Sequence, residues 1–137
     1  MKENKPLTIG YLKERKDKKL FTLPIPEDLL LNLEEKRNIL IIQTRSTKFL
    51  KFMVYPVDND KIIKITIHGR NKPSKVISNL SDLLKSLNVV HTSGITLNES
   101  QFSQEIYLDQ TEINDHLKKK LIKIEGIKVI IDELFIE

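Results

Sequence analysis

Apolar and polar positions alternate in two different ways along the chain, and the change falls near Pro56. Before it, apolar residues come in short runs broken by proline or charge. Leu20–Leu23 predicts a short strand, which Pro24 and Pro26 stop because proline donates no ladder hydrogen bond and holds the residue before it extended. Pro26 suits the first position of a helix, Glu27 and Asp28 suit its first turn, and Leu29, Leu30 and Leu33 form its buried side. Asn38 then marks a turn. Asn38–Gln43 and Lys48–Tyr55 flank a polar tip at Thr44–Thr47, the pattern of a β-hairpin. Both faces of this hairpin are apolar: Ile39 and Ile41 oppose Leu40 and Ile42, and Phe49, Met53 and Tyr55 oppose Leu50, Phe52 and Val54. A half-solvated hairpin alternates more cleanly, so both faces are expected to be covered. Roughly 58 residues do not easily cover both from within, which predicts that a second copy does so in an obligate dimer.

PVDNDK (56–61) has the composition of a linker and places a domain boundary near Asp58. Beyond it the pattern is strand, helix, strand, strand, helix, strand. Lys61–Ile67 is β-branched. Pro73–Leu87 puts Val76, Leu80, Leu83, Leu84 and Leu87 on one helical face, with Pro73 at its first position. Asn88–Leu97 and Gln101–Asp109 are strands around a tight turn at Asn98–Ser100. Thr111–Ile124 is a second amphipathic helix with Ile113, Leu117, Leu121 and Ile124 inward, Gly126 is its terminator, and Ile127–Ile136 is the last strand. This βαββαβ order predicts a four-stranded antiparallel sheet with both helices on one face, the ferredoxin-like split βαβ. The expected class is therefore α+β, with residues 1–58 as one domain and 59–137 as a ferredoxin-like sandwich.

Charge sharpens the division. Residues 1–58 carry 12 Lys/Arg against 8 Asp/Glu, whereas residues 59–137 carry 11 of each. Most of the excess lies in YLKERKDKK (11–19), where Lys13, Arg15, Lys16, Lys18 and Lys19 face only Glu14 and Asp17. Clustered positive charge beside folded structure attracts phosphates; a solvated arm is the plainer alternative. The 137 residues include no Cys, which removes disulfides, thiol nucleophiles and Cys-based metal sites. Apolar stretches are too short to span a bilayer, and MKENKPLTIG lacks the apolar core of a signal peptide, so a cytoplasmic protein without a membrane partner is expected. His68, His91 and His116 fall in different elements without metal-ligand spacing. No nucleophile elbow, Walker loop or dinucleotide fingerprint occurs, so neither an enzyme nor a cofactor is expected.

Two resemblances follow from these residues. The order basic strand, apolar-Pro, leucine helix, turn and hairpin over residues ~12–56 resembles the AbrB/SpoVT type of swapped-hairpin DNA-binding domain. The matching residues are Ile25–Pro26, Leu29 and Leu33, and Ile39–Ile41; Asn38 stands where the family usually has Gly. The resemblance implies that two chains interlock hairpins into a β-barrel-like dimer and turn basic residues toward double-stranded DNA. Residues ~60–137, through ITIHGRNKPSKVISNLSDLLKSLNV, HTSG and IEGIKVIIDELF, resemble the ACT domain, with the ligand-binding domain of Lrp-type regulators as a topological equivalent. That resemblance implies a regulatory module that binds an amino acid or other small molecule near the loop after its first strand. Ser74 stands where a glycine is usual, and its Cβ crowds close backbone approach.

The candidate DNA contacts are thus Lys13, Arg15, Lys16, Lys18 and Lys19, with Arg45 and Lys48 at the hairpin tip. The candidate ligand site is Asn71, Lys72, Ser74 and Lys75, between a strand and a helix N-terminus, completed by His91, Thr92 and Ser93 on the neighbouring strand. Ordinary turn, capping and surface chemistry is the alternative for each set. The function expected is a homodimeric DNA-binding transcriptional regulator with an ACT-like sensing or dimerisation domain, tetramers being left open. The other expectation is an amino-acid-binding regulatory subunit of a metabolic enzyme, without DNA binding.

Overall fold

The computed structural model describes residue 36 and residues 38–45, 47–70 and 73–136. They form an α+β structure with two antiparallel sheets. The first is a hairpin of β1 (Asn38–Arg45) and β2 (Leu50–Val57). The second contains β3 (Lys61–Arg70), β4 (Val89–Asn98), β5 (Gln101–Leu108) and β6 (Ile127–Phe135), in the order β4-β5-β3-β6. Helix α1 (Pro73–Leu84) joins β3 to β4, and α2 (Asp115–Ile122) joins β5 to β6. The expected strand and short helix of residues 20–33 lie outside the described residues.

Register explains why one face of the larger sheet is the core. Ile63 pairs with Leu108, Ile65 with both Ile106 and Ile131, and Ile67 with Val129, so these side chains share one face. Leu80 of α1 and Leu121 of α2 are buried against them, and Leu83, Leu84, Leu87, Leu117 and Ile124 pack around the margin. Both helices therefore cover the same side. Gly69 lets β3 pass beneath the Phe102 ring, since a Cβ there would overlap the ring edge. Gly126, at φ 81°, makes the left-handed step before β6.

The helices are shorter than their apolar patterns. The α1 pattern runs to Leu87, but the helix stops at Leu84 and the Leu87 N–H closes a turn onto the Leu84 carbonyl. The α2 pattern begins at Thr111, but Asn114 caps the helix by accepting the His116 N–H at 2.7 Å. Ile113 is buried just before that cap, so its place in the apolar pattern does not require a helical residue.

The other face of the larger sheet carries the hairpin. Leu40 and Ile42 of β1 are buried together with Val57, Ile62 and Tyr107, and Met53, Tyr55 and Val90 complete the cluster. A bulge between Val89 and His91 breaks the β4 register and turns both Val90 and His91 to the hairpin side. One apolar face of the hairpin is thus covered within the chain, which corrects the expectation that a second copy must supply both covers. The opposite face is open: Ile39, Ile41 and Phe52 are 46%, 48% and 40% exposed.

Candidate functional site

The connection between the two sheets is fixed by one buried carboxylate. Asp109, at the end of β5 and 6% exposed, accepts hydrogen bonds from the backbone N–H of Asp58 at 2.8 Å and of Asn59 at 3.1 Å. The Asn59 amide donates to the same carboxylate at 2.8 Å and to the Asp109 carbonyl at 3.1 Å. The Asn38 amide donates to the Asn59 carbonyl and to Asp60, tying β1 to the same turn. Residues 58–60, in the middle of PVDNDK, therefore form a hydrogen-bonded turn on the sheet. Sequence reading passed over Asp109 because a carboxylate at a strand end is usually a surface charge; the Asn59 amide and the backbone N–H groups of the turn beside it were the available signal.

Beside this turn a polar chain crosses from hairpin to sheet. The Tyr55 hydroxyl is 2.8 Å from His91 Nδ1, and His91 Nε2 is 2.6 Å from Ser93 Oγ. Ser93 pairs with Glu105, which holds Lys64 at 3.1 Å, and the Lys64 ammonium lies 5.4 Å from the Tyr107 ring centre. Burial acts to lower the Lys64 pKa, but the hydrogen bond and charge of Glu105, together with Tyr107, bring it above its ordinary value. The His91–Ser93 distance suits a base and a nucleophile. However, the group on the far side of His91 is a phenol, and Ser93 lies only two residues along the same strand. Hydroxyls engage both ring nitrogens, so the imidazole holds Tyr55, and through it β2, against β4.

The candidate ligand residues do not converge. Asn71 and Lys72 lie outside the described residues, and Ser74 and Lys75 stand in the first turn of α1. Their loop leaves β3 at Arg70, which pairs with Gln101 and through it with Asn98 at the far end of β4. His91 is seven residues back along that strand, about 23 Å at 3.3 Å per residue. Thr92 pairs with Ile106 and so belongs to the opposite face from His91 and Ser93. Extended backbone separates the two halves of the expected site.

What does lie beside the start of that loop is a cleft of about 490 Å³, lined by His68, Arg70 and Lys128 together with Gly69, Phe102 and Ile127. His68 pairs with Lys128 across β3 and β6, which sets both side chains at one rim. Neither His68 nor Lys128 was singled out from sequence, since each is an isolated polar residue on its own strand. A lining that mixes basic side chains with apolar ones suits an anionic small molecule with a carbon skeleton.

Of the candidate DNA contacts, Lys13, Arg15, Lys16, Lys18 and Lys19 lie outside the described residues. Arg45 ends β1 opposite Leu50, and Lys48 is in the exposed tip between the hairpin strands. No three His, Asp or Glu side chains among the described residues are placed to hold a metal ion, and no described helix is long and apolar enough to cross a membrane. No family model matches the sequence, and no curated protein matches it.

Proposed function

We propose that the chain is a homodimeric, cytoplasmic DNA-binding transcriptional regulator. Residues 1–58 act as an AbrB-like swapped-hairpin domain, and residues 59–137 as a ferredoxin-like, ACT-like sensing and dimerisation domain. The observation that carries this proposal is the confinement of the net positive charge to residues 1–58. Lys13, Lys16, Lys18, Lys19 and Lys48 hold phosphates, while the planar forks of Arg15 and Arg45 meet base edges. Two further observations support it. The outer hairpin face leaves Ile39, Ile41, Leu50 and Phe52 exposed, an apolar surface suited to a second copy. The strand order β4-β5-β3-β6, with both helices on one side, fits the ferredoxin-like assignment.

The sensing half has its best candidate pocket in the cleft between His68, Arg70 and Lys128, where an amino acid's carboxylate would sit. Occupancy there shifts the placement of the paired DNA-binding halves. The same cleft favours the second reading, an amino-acid-binding regulatory subunit without DNA contact. A mobility-shift titration at rising salt separates the two. Salt-sensitive binding that disappears in a Lys16→Glu/Lys18→Glu/Lys19→Glu variant supports the regulator. Calorimetric binding of an amino acid with no DNA binding at low salt supports the subunit instead.

A further inference from the structure

Gly69 sits in the middle of one rung of the larger sheet, paired with Phe102 on β5 and Ile127 on β6. The rungs on either side carry the basic residues, His68 opposite Lys128 and Arg70 opposite Gln101. Side chains alternate across a strand, so His68, Arg70 and Lys128 belong to one face and Phe102 and Ile127 to the other. Arg70, Gln101 and Ile127 are terminal residues of their strands, and the cleft of about 490 Å³ draws its lining from both faces at this end of the sheet. Arg70 and Lys128 are diagonal neighbours, with Cα atoms about 7–8 Å apart. Both are exposed, and both side chains are charged at neutral pH. Among the described residues neither has an ion-pair partner, whereas Lys61 and Lys64, on the same strand as Arg70, are paired with Glu133 and Glu105.

We propose that this cleft selects a small molecule carrying two carboxylates on a short carbon chain, which among amino acids means aspartate or glutamate. One carboxylate meets the planar fork of Arg70 and the other the Lys128 ammonium, while His68 offers a ring nitrogen beside both. Ile127, half-buried, gives the carbon chain an apolar surface. A ligand with a single carboxylate leaves one of the two cations without a partner. A second carboxylate in that place adds a charge-assisted contact that a neutral amide of the same shape does not make. This assignment rests on the reading of the cleft as the sensing site, and it narrows the ligand from amino acids in general to acidic ones.

Titration of the full chain with glutamate, glutamine and glutarate, followed through its backbone amide resonances, tests it. Glutamine replaces one carboxylate of glutamate by an amide, and glutarate keeps both carboxylates but lacks the amine. Glutamate is expected to bind about fivefold or more tightly than glutamine, with the shifts centred on Gly69, Gly126 and Lys128. Arg70→Gln and Lys128→Gln are each expected to bring that ratio close to one; both residues are exposed, so the fold is expected to be retained. Glutamine bound as tightly as glutamate overturns the dicarboxylate assignment and leaves the amino-acid reading standing. Glutarate bound as tightly as glutamate, with glutamine weaker, supports the assignment and removes the amino-acid reading. Binding of none of the three overturns both, and a glutamate preference that survives in both variants overturns the placement in this cleft.

Discussion

Asp109→Ala should loosen the seating of the hairpin on the sheet. The substitution removes the acceptor of two backbone N–H groups, from Asp58 and Asn59, and of the Asn59 amide. A buried donor left unpaired costs about 1–3 kcal/mol, and bonds to a charged acceptor fall toward the upper end. Asp58 is exposed and Asn59 half-buried, so water replaces part of what is lost. About 3 kcal/mol is the expected total. With an unfolding entropy of about 2.1 cal/mol/K per residue over the whole chain, that corresponds to a Tm drop of about 10 °C. Asn59→Ala removes only the amide's bonds and should lose about 1 kcal/mol. Because the two residues share bonds, the double variant should lose less than the sum. Calorimetric melting supplies the totals, and amide exchange on β1 and β2 locates the effect. A Tm for Asp109→Ala within about 1 °C of the parent would show that the buried carboxylate does not hold the hairpin.

Gly69→Ala places a Cβ against the Phe102 ring and should destabilise by about 1–3 kcal/mol in urea unfolding, with Phe102→Leu recovering part of that loss. Lys64 titrates above its ordinary value in the fold, so its pairing with Glu105 stabilises below lysine's ordinary pKa and is lost as the pH rises through the higher folded value. The stability difference between the parent and Lys64→Met should therefore stay level from neutral pH to about 10.5 and shrink above it, which urea melts across that range would show. Ile41→Glu, on the open hairpin face, should shift sedimentation toward the monomer and lower Tm with it, since association stabilises the folded chain; a dimer that persists removes that face from the interface.

Much of the fold was legible because local pattern and tertiary demand agree. Ile63, Ile65 and Ile67 alternate on β3, Phe102, Ile106 and Leu108 on β5, and Leu80, Leu83, Leu84 and Leu87 recur at helical spacing on or just after α1. β2 runs two residues past its expected end, through Pro56, because the ladder continues from Asn38↔Val57 and, among the described residues, β2 pairs along one edge only, so a missing N–H on the other is tolerated. The seating of the hairpin was not legible. It depends on Ile62, Val90 and Tyr107, which sit among core residues in sequence and face the other way in space. A one-residue bulge decides the orientation of Val90, and composition does not announce it. The expected ligand residues failed to meet for a related reason: neighbouring strands were foreseen, but not which ends of them lie together.

DNA binding across a salt series is the decisive measurement. With five bases within Lys13–Lys19 and about 0.9 counterions released per phosphate contact, log K against log salt should fall with a slope of about −4 or steeper. The Lys16→Glu/Lys18→Glu/Lys19→Glu variant should flatten it. Absence of binding at low salt, or binding whose slope is the same in the variant, would contradict a regulator that grips DNA through this segment.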